Sequence, residues 1–177
     1  MREASLAGYP VNPAVFSKAL NYVNSVCDKN FRYSLARSSH TSTSLQALGI
    51  VSAWICVEQL TLAKNKKFPV PPFASVLVNR LEEFNEVFTL DRNDSTDPNR
   101  QYHYYYLWSV EQLGVLSGKK KFGEVNWYES GKRYLISNQA KDGSWDDPTL
   151  GKHGTALGTC FALLFMTHRT DPLRAGR

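Results

Sequence analysis

Apolar residues recur along this chain in two alternating patterns. From Pro13 to Cys27, Val15, Phe16, Ala19, Leu20, Val23 and Val26 fall on one stripe, with Lys18, Asn21 and Asn24 on the other side. That spacing predicts a helix with one flank in water. From Thr43 to Ala63 the apolar residues, among them Leu45, Leu48, Ile50, Val51, Trp54, Ile55 and Leu60, point all around the cylinder. This predicts a helix covered on most sides. The alternation repeats. Pro72–Phe88 is striped through Phe73, Leu77, Leu81, Phe84 and Phe88, and Tyr102–Leu116 is apolar or aromatic nearly all round. Trp127–Asn138 is striped again, and Thr155–Met166 is apolar on every side. The order is outer, inner, outer, inner, outer, inner. It predicts an all-α domain over residues 13–168, built as tandem helical hairpins at about 13–63, 72–118 and 127–168. Residues 1–12 form a lead-in and 169–177 a tail.

The first and last hairpins align without a gap. Tyr22-x-x-Ser25-x-x-x-Lys29 matches Tyr134-x-x-Ser137-x-x-x-Lys141, and Thr43-x-Leu45 matches Thr155-x-Leu157. In this register Phe16 faces Tyr128 and Tyr33 faces Trp145. Together with the alternation this points to an α-hairpin repeat, whose inner layer is buried only when neighbours close around it. Ser42 or Thr43, and Gly154-Thr155, are placed to cap the inner helices. The longest polar connector, Asp91–Asn99, is expected at the surface.

Composition narrows the class. The chain has 177 residues, is 42% hydrophobic and carries only 8 Pro and 11 Gly, which excludes a disordered, collagen-like or low-complexity protein. Its net charge of +5 is spread over separate connectors, at Lys64, Lys66 and Lys67, at Lys119–Lys121, and at Arg169, Arg174 and Arg177. Scattered runs of this kind read as solvated loops rather than a phosphate-tracking stripe, so nucleic acid is not the expected partner. Cys27, Cys56 and Cys160 are odd in number and far apart, with no Cys-x-x-Cys, which argues against a disulfide framework and for a reducing, cytoplasmic setting. Cys56 and Cys160 lie in apolar runs and are expected in the core. The N-terminus does not resemble a signal peptide. The apolar runs Ala47–Val57 and Ala156–Met166 fall short of the ~20 residues a spanning helix needs, so no transmembrane segment is expected.

The third hairpin carries the most specific motif, Gln139-Ala-Lys-Asp-Gly143-Ser-Trp145. Gln139 ends an outer helix, where its amide can serve unpaired backbone groups. Gly143 permits a sharp turn, and the Trp145 ring can stack on the amide and seal the corner. The motif resembles the Gln–Trp repeat of the squalene/hopene cyclase and prenyltransferase superfamily. A degenerate copy in the first hairpin has Cys27 in the Gln position and Tyr33 in the Trp position. The openings His103–Gly114 and Gly154–Leu157 also look like inner-helix starts of that superfamily. The resemblance implies an α/α toroid of inner and outer helices, of which three hairpins make about half, since a closed ring holds about six. An arc of that kind leaves an apolar edge, which usually marks an interface.

The motifs of the chemistry are missing from the matching places. In the cyclases of this superfamily an Asp-x-Asp-Asp precedes the Thr-Ala that opens an inner helix, and its acid protonates the substrate. Here those positions read Gly151-Lys152-His153-Gly154, followed by Thr155-Ala156. Asp142, Asp146 and Asp147 flank Trp145, where a corner turn is expected to face solvent. The prenyltransferase zinc site needs Asp, Cys and His together, but no Asp lies two positions before Cys160, where residue 158 is Gly. His153 and His168 read as loop and surface residues. The thioester-bearing branch is set aside as well, because Gly158-Thr-Cys160 does not match its motif. No catalytic residue, metal ligand or cofactor is therefore assigned.

The aromatic run Tyr102–Tyr106 with Trp108 is either inner-layer packing or a cavity wall able to hold an isoprenoid chain or a cation. Neighbours on a helix cannot all point at one cavity, so among the candidates Tyr104, Tyr105, Trp108 and Glu111 a single face is expected to line it, either Tyr104, Trp108 and Glu111 or Tyr105, Ser109 and Gln112. Glu58, Gln59 and Glu111 are polar groups on otherwise apolar helices, facing either a cavity or water at a helix end. The function expected is a non-catalytic binding or interaction module. Its partner would be another copy, the remainder of a longer chain completing the ring, or an apolar ligand. The alternative is part of an isoprenoid cyclase or prenyltransferase.

Overall fold

The computed structural model describes residues 1–26, 41–64, 73–94 and 101–167. Within them the chain is helical: α1 (Arg2–Leu6), α2 (Pro13–Val26), α3 (Thr43–Ala63), α4 (Phe73–Val87), α5 (His103–Ser117), α6 (Trp127–Ser137) and α7 (Gly154–Met166), with a 3-10 turn at Pro148–His153. The six helices expected from the hydrophobic pattern are all present, each end within one residue of its predicted position. The lead-in contains an element that the pattern did not predict, the five-residue α1. Cys27, Tyr33, Arg169 and His168 lie outside the described residues.

The packing separates the helices into two sets. α3 packs on α5 and α5 on α7, making a row, while α2 and α4 lie against α3 and α6 lies against both α5 and α7. Among the described residues the backbones of α2, α4 and α6 do not approach one another. This arrangement follows from the sequence pattern. α2 and α6 bury only a stripe, Phe16, Leu20 and Val23 in one and Trp127, Gly131 and Leu135 in the other. α3 and α5 must be covered on several sides at once, and α5 buries eight of its fifteen residues. Beneath α4, Phe84, Phe88, Phe122 and Tyr106 form an aromatic cluster, with Phe84 and Phe122 edge-to-face at 5.1 Å.

Caps fix where the row helices begin. Ser42 Oγ accepts from the Leu45 amide and so caps α3. The connector ahead of α5 is anchored from within. Asn93 is buried, accepts from the Ser44 amide at 2.9 Å, and donates to Ser44 Oγ and to the Gln101 carbonyl. The surface expectation for Asp91–Asn99 holds at Asp91, Arg92 and Asp94 and fails at Asn93, whose three partners meet the hydrogen-bonding need of a buried amide; residues 95–99 lie outside the described residues. α7 lacks the cap expected of it. Its preceding residue, His153, makes no side-chain cap, and Thr155 donates instead to Asp146 Oδ1 at 2.8 Å.

By length and composition α3, at 21 residues, is apolar enough to cross a membrane, unlike the shorter run Ala47–Val57 inside it. Half of it is buried inside the protein, against α2, α4 and α5. A core helix covered from several sides has this composition for that reason.

Candidate functional site

The Gln139–Trp145 corner is built, but its hydrogen bonds differ from those expected. Gly143 takes the left-handed conformation (φ +88°) that turns the chain, and the Gly143 amide donates to the Ala140 carbonyl. Gln139 Nε2 donates across the turn to the Gly143 carbonyl at 2.9 Å, serving the loop rather than the helix end. The helix end is served by Trp145. Its buried indole Nε1 donates to the Leu135 carbonyl at 2.8 Å, and its backbone amide donates to Thr159 Oγ1 of α7. The corner thus ties α6 to α7 through one residue, by its indole on one side and its backbone amide on the other. Gly154 and Gly158 let α7 lie directly on this segment: a Cβ added at Gly154 would sit 2.2 Å from the Asp147 carbonyl, and one at Gly158 would sit 2.6 Å from that of Trp145.

The four candidate cavity residues do not share one face. Tyr105 and Trp108 are partly exposed and meet Phe161 of α7, with ring centroids 5.2–5.9 Å apart in all three pairs. Tyr104 and Glu111 are buried on another flank of α5. Burial pushes the Tyr105 phenol up from its usual value and that of Tyr104 up to about 12, so both stay protonated and neutral near pH 7. Gln112, one turn past Trp108, donates to Glu111 at 2.6 Å. Glu58 is engaged by Arg2 of α1, with Nε–Oε2 at 2.6 Å, while Gln59 is buried. Phe161 was not foreseen. In a helix apolar on every side, no signal distinguishes the residue that meets α5 from its neighbours.

The second grouping lies between the two helix sets, at the start of α5. His103 faces α6, with its ring 4.6 Å from that of Tyr134. Burial holds the imidazole down to about 4, with Asp147 and Asp91 acting in the opposite direction. Asp142 and Asp146 are exposed as expected of corner acids, but Asp147 is 4% exposed, which corrects the solvent-facing expectation for that one residue. It is inside because α7 lies on the corner backbone. Its Oδ1 accepts from the Thr149 amide and hydroxyl, and Thr149 Oγ1 in turn accepts from the Tyr102 amide. Tyr102 is held there in the left-handed region, at φ 42°. Asp147 Oδ2 and His103 Nε2 are buried without hydrogen-bond partners. Asp147-Pro148 is itself a helix-start signal, an acidic cap before proline at the first helical position, and reading it as one would have placed this carboxylate.

α7 departs most from expectation. Its covered side holds Gly154, Gly158, Ala162 and Phe165. Leu157, Leu163 and Leu164 are 40%, 50% and 49% exposed, and Ala156 and Cys160 are exposed beside them. Cys160 is thus a surface thiol rather than a core one, whereas Cys56 is buried and its thiol is pushed up by that burial. His153 is exposed at the end of the 3-10 turn. No cluster of three or more His, Cys, Asp or Glu residues is placed to hold a metal ion among the described residues. No protein-family model, curated protein or solved structure matches the chain.

Proposed function

We propose that this chain is a binding module rather than a catalyst: a half-ring of the squalene cyclase–prenyltransferase toroid kind whose α7 edge pairs with another copy. The exposed apolar side of α7 carries the reading. Leu157, Leu163, Leu164, Ala156 and Cys160 form one continuous surface on a helix whose other side is packed like α3 and α5. A row that ends on such a surface is suited to continue with a further helix of the same composition. The test is sedimentation of the purified chain across a wide concentration range. A two-copy species is expected, and Leu163→Glu and Leu157→Glu, each placing a charge on that side, should return it to one copy. A chain that stays monomeric throughout would remove the reading.

The aromatic face supports a second reading, part of an enzyme acting on an isoprenoid. Tyr105, Trp108 and Phe161 present ring faces that can accompany an isoprenoid chain or a developing cation. His103 and Asp147 lie on the α6 side of α5, where they would not meet a substrate on those rings. Turnover of a polyprenyl diphosphate, lost on Trp108→Ala, would decide for this reading.

A further inference from the structure

We propose that two copies pair through α7 in antiparallel fashion, about a two-fold axis at Cys160, so that the second copy does not complete a ring. The inference rests on the α7 pairing of the preceding section and adds its direction and its partner surface. The two ends of the row are not alike. α7 exposes Leu157, Leu163 and Leu164, whereas α3 exposes one large apolar residue, Leu62, in its last turn. Ring closure would lay α7 of each copy on α3 of the other, setting three leucines against a helix that offers one. An apolar surface present at one end only is buried best against itself, and a two-fold axis makes that contact.

The exposed stripe is symmetric along the helix. Ala156 and Leu157 precede Cys160 by four and three residues, and Leu163 and Leu164 follow it by three and four. At the helical turn all four lie within roughly 60° of Cys160, the three-and-four spacing of a helix–helix seam. Exposed polar residues, His153 and Thr167, bound the stripe at its two ends. Turned about Cys160, Leu157 of one copy comes beside Leu164 of the other, and Ala156 beside Leu163, small against large. Charge sets the direction. The N-terminal end of α7 is the positive pole of the helix and is served by Asp146 through Thr155. The exposed Lys152 adds a cation there, while the last turn of α7 holds no basic residue. Parallel pairing would bring Lys152 to Lys152 and align like poles. Antiparallel pairing brings each Lys152 to the level of the other copy's C-terminal carbonyls, the negative pole.

The test is disulfide mapping on the full chain. Cys160→Ala removes the central thiol, and Leu157→Cys and Leu164→Cys are then made separately in that background, both at exposed positions where the fold should survive. Each variant alone and an equal mixture are oxidised with copper phenanthroline, and the linked peptides are identified by mass spectrometry. The same samples are sedimented before oxidation to establish that pairs are present. Links between residues 157 and 164 are expected in the mixture, with little linking in either variant alone, because like positions then lie about 9–12 Å apart along the axis. Pairs that instead link 164 to 164 in the single variant would be parallel and would overturn the inference while leaving the pairing intact. Pairs that link at neither position would place the contact elsewhere and overturn it as well. Samples that sediment as single copies would overturn both the direction and the pairing on which it rests.

Discussion

α5 and α7 have the same sequence character, apolar around the whole cylinder, yet they end in different surroundings. α5 lies between α3 and α7 with α6 over its outer side, and it buries Tyr104, Tyr106, Leu107, Val110 and Leu113. α7 has α5 on one side and α6 and the Trp145 corner over another, and nothing among the described residues covers the rest. The difference shows that an all-round apolar pattern records which set a helix belongs to, not how much of it the chain covers. Burial is decided by neighbours, and a terminal helix of a row has fewer of them.

The largest expected effect tests how firmly the covered half of α7 is held. Trp145 is buried, caps α6 through its indole and meets α7 through its backbone amide. Trp145→Ala should cost about 3–5 kcal/mol in urea denaturation, from the cavity and the uncapped Leu135 carbonyl together. Gln139→Ala removes an exposed hydrogen bond of the same motif and should cost well under that, about 1 kcal/mol or less. Equal losses would mean that the turn, rather than the ring, holds α7 in place.

A smaller effect reports on the covered end of α5. The folded protein holds the His103 imidazole down to about 4, against an ordinary value of 6.5. Between those values the unfolded chain takes up a proton that the folded one refuses. The contribution of neutral His103 is therefore complete above the ordinary value and is lost as pH falls toward 4, amounting to as much as about 3 kcal/mol. Carboxylates begin to titrate at the lower end of this window, so the comparison is with His103→Phe, which keeps a ring against Tyr134. Stability of the variant relative to wild type should rise as pH is lowered from about 7 to about 5. Parallel pH profiles would show that His103 is not shielded.

Helix positions and order were legible because each depends on a periodicity that several residues state together, and each helix end fell within one residue of expectation. What was not legible depended on contacts between segments distant in sequence. Asp147 reads as a turn residue in sequence and becomes buried only because Gly154 and Gly158 let α7 press on the corner. Helical spacing separates Tyr104 from Tyr105, but it groups Trp108 with Tyr104 and Glu111 as readily as with Tyr105; Phe161 of the distant α7, which meets both Tyr105 and Trp108, decides that. α1 was invisible because five residues are too few to display a period, and its place is set by one ion pair to a residue 56 positions away.

The smallest expected effect sharpens the comparison most directly. Leu107 of α5 is 0% exposed and Leu163 of α7 is 50% exposed, so the same truncation samples the two surroundings. Leu107→Ala should cost about 2–5 kcal/mol, the range for a leucine removed from a filled core. Leu163→Ala should lie within about 0.5 kcal/mol of wild type when measured at concentrations low enough for single copies, as at a surface site. On the proposed pairing along α7, high concentration would add the free energy of association to the apparent stability of the wild type, and the Leu163→Ala deficit should then grow with concentration while that of Leu107→Ala does not. A Leu163→Ala deficit that is large and independent of concentration would mean that the exposed side of α7 is already covered within one chain, and the contrast with α5 would disappear.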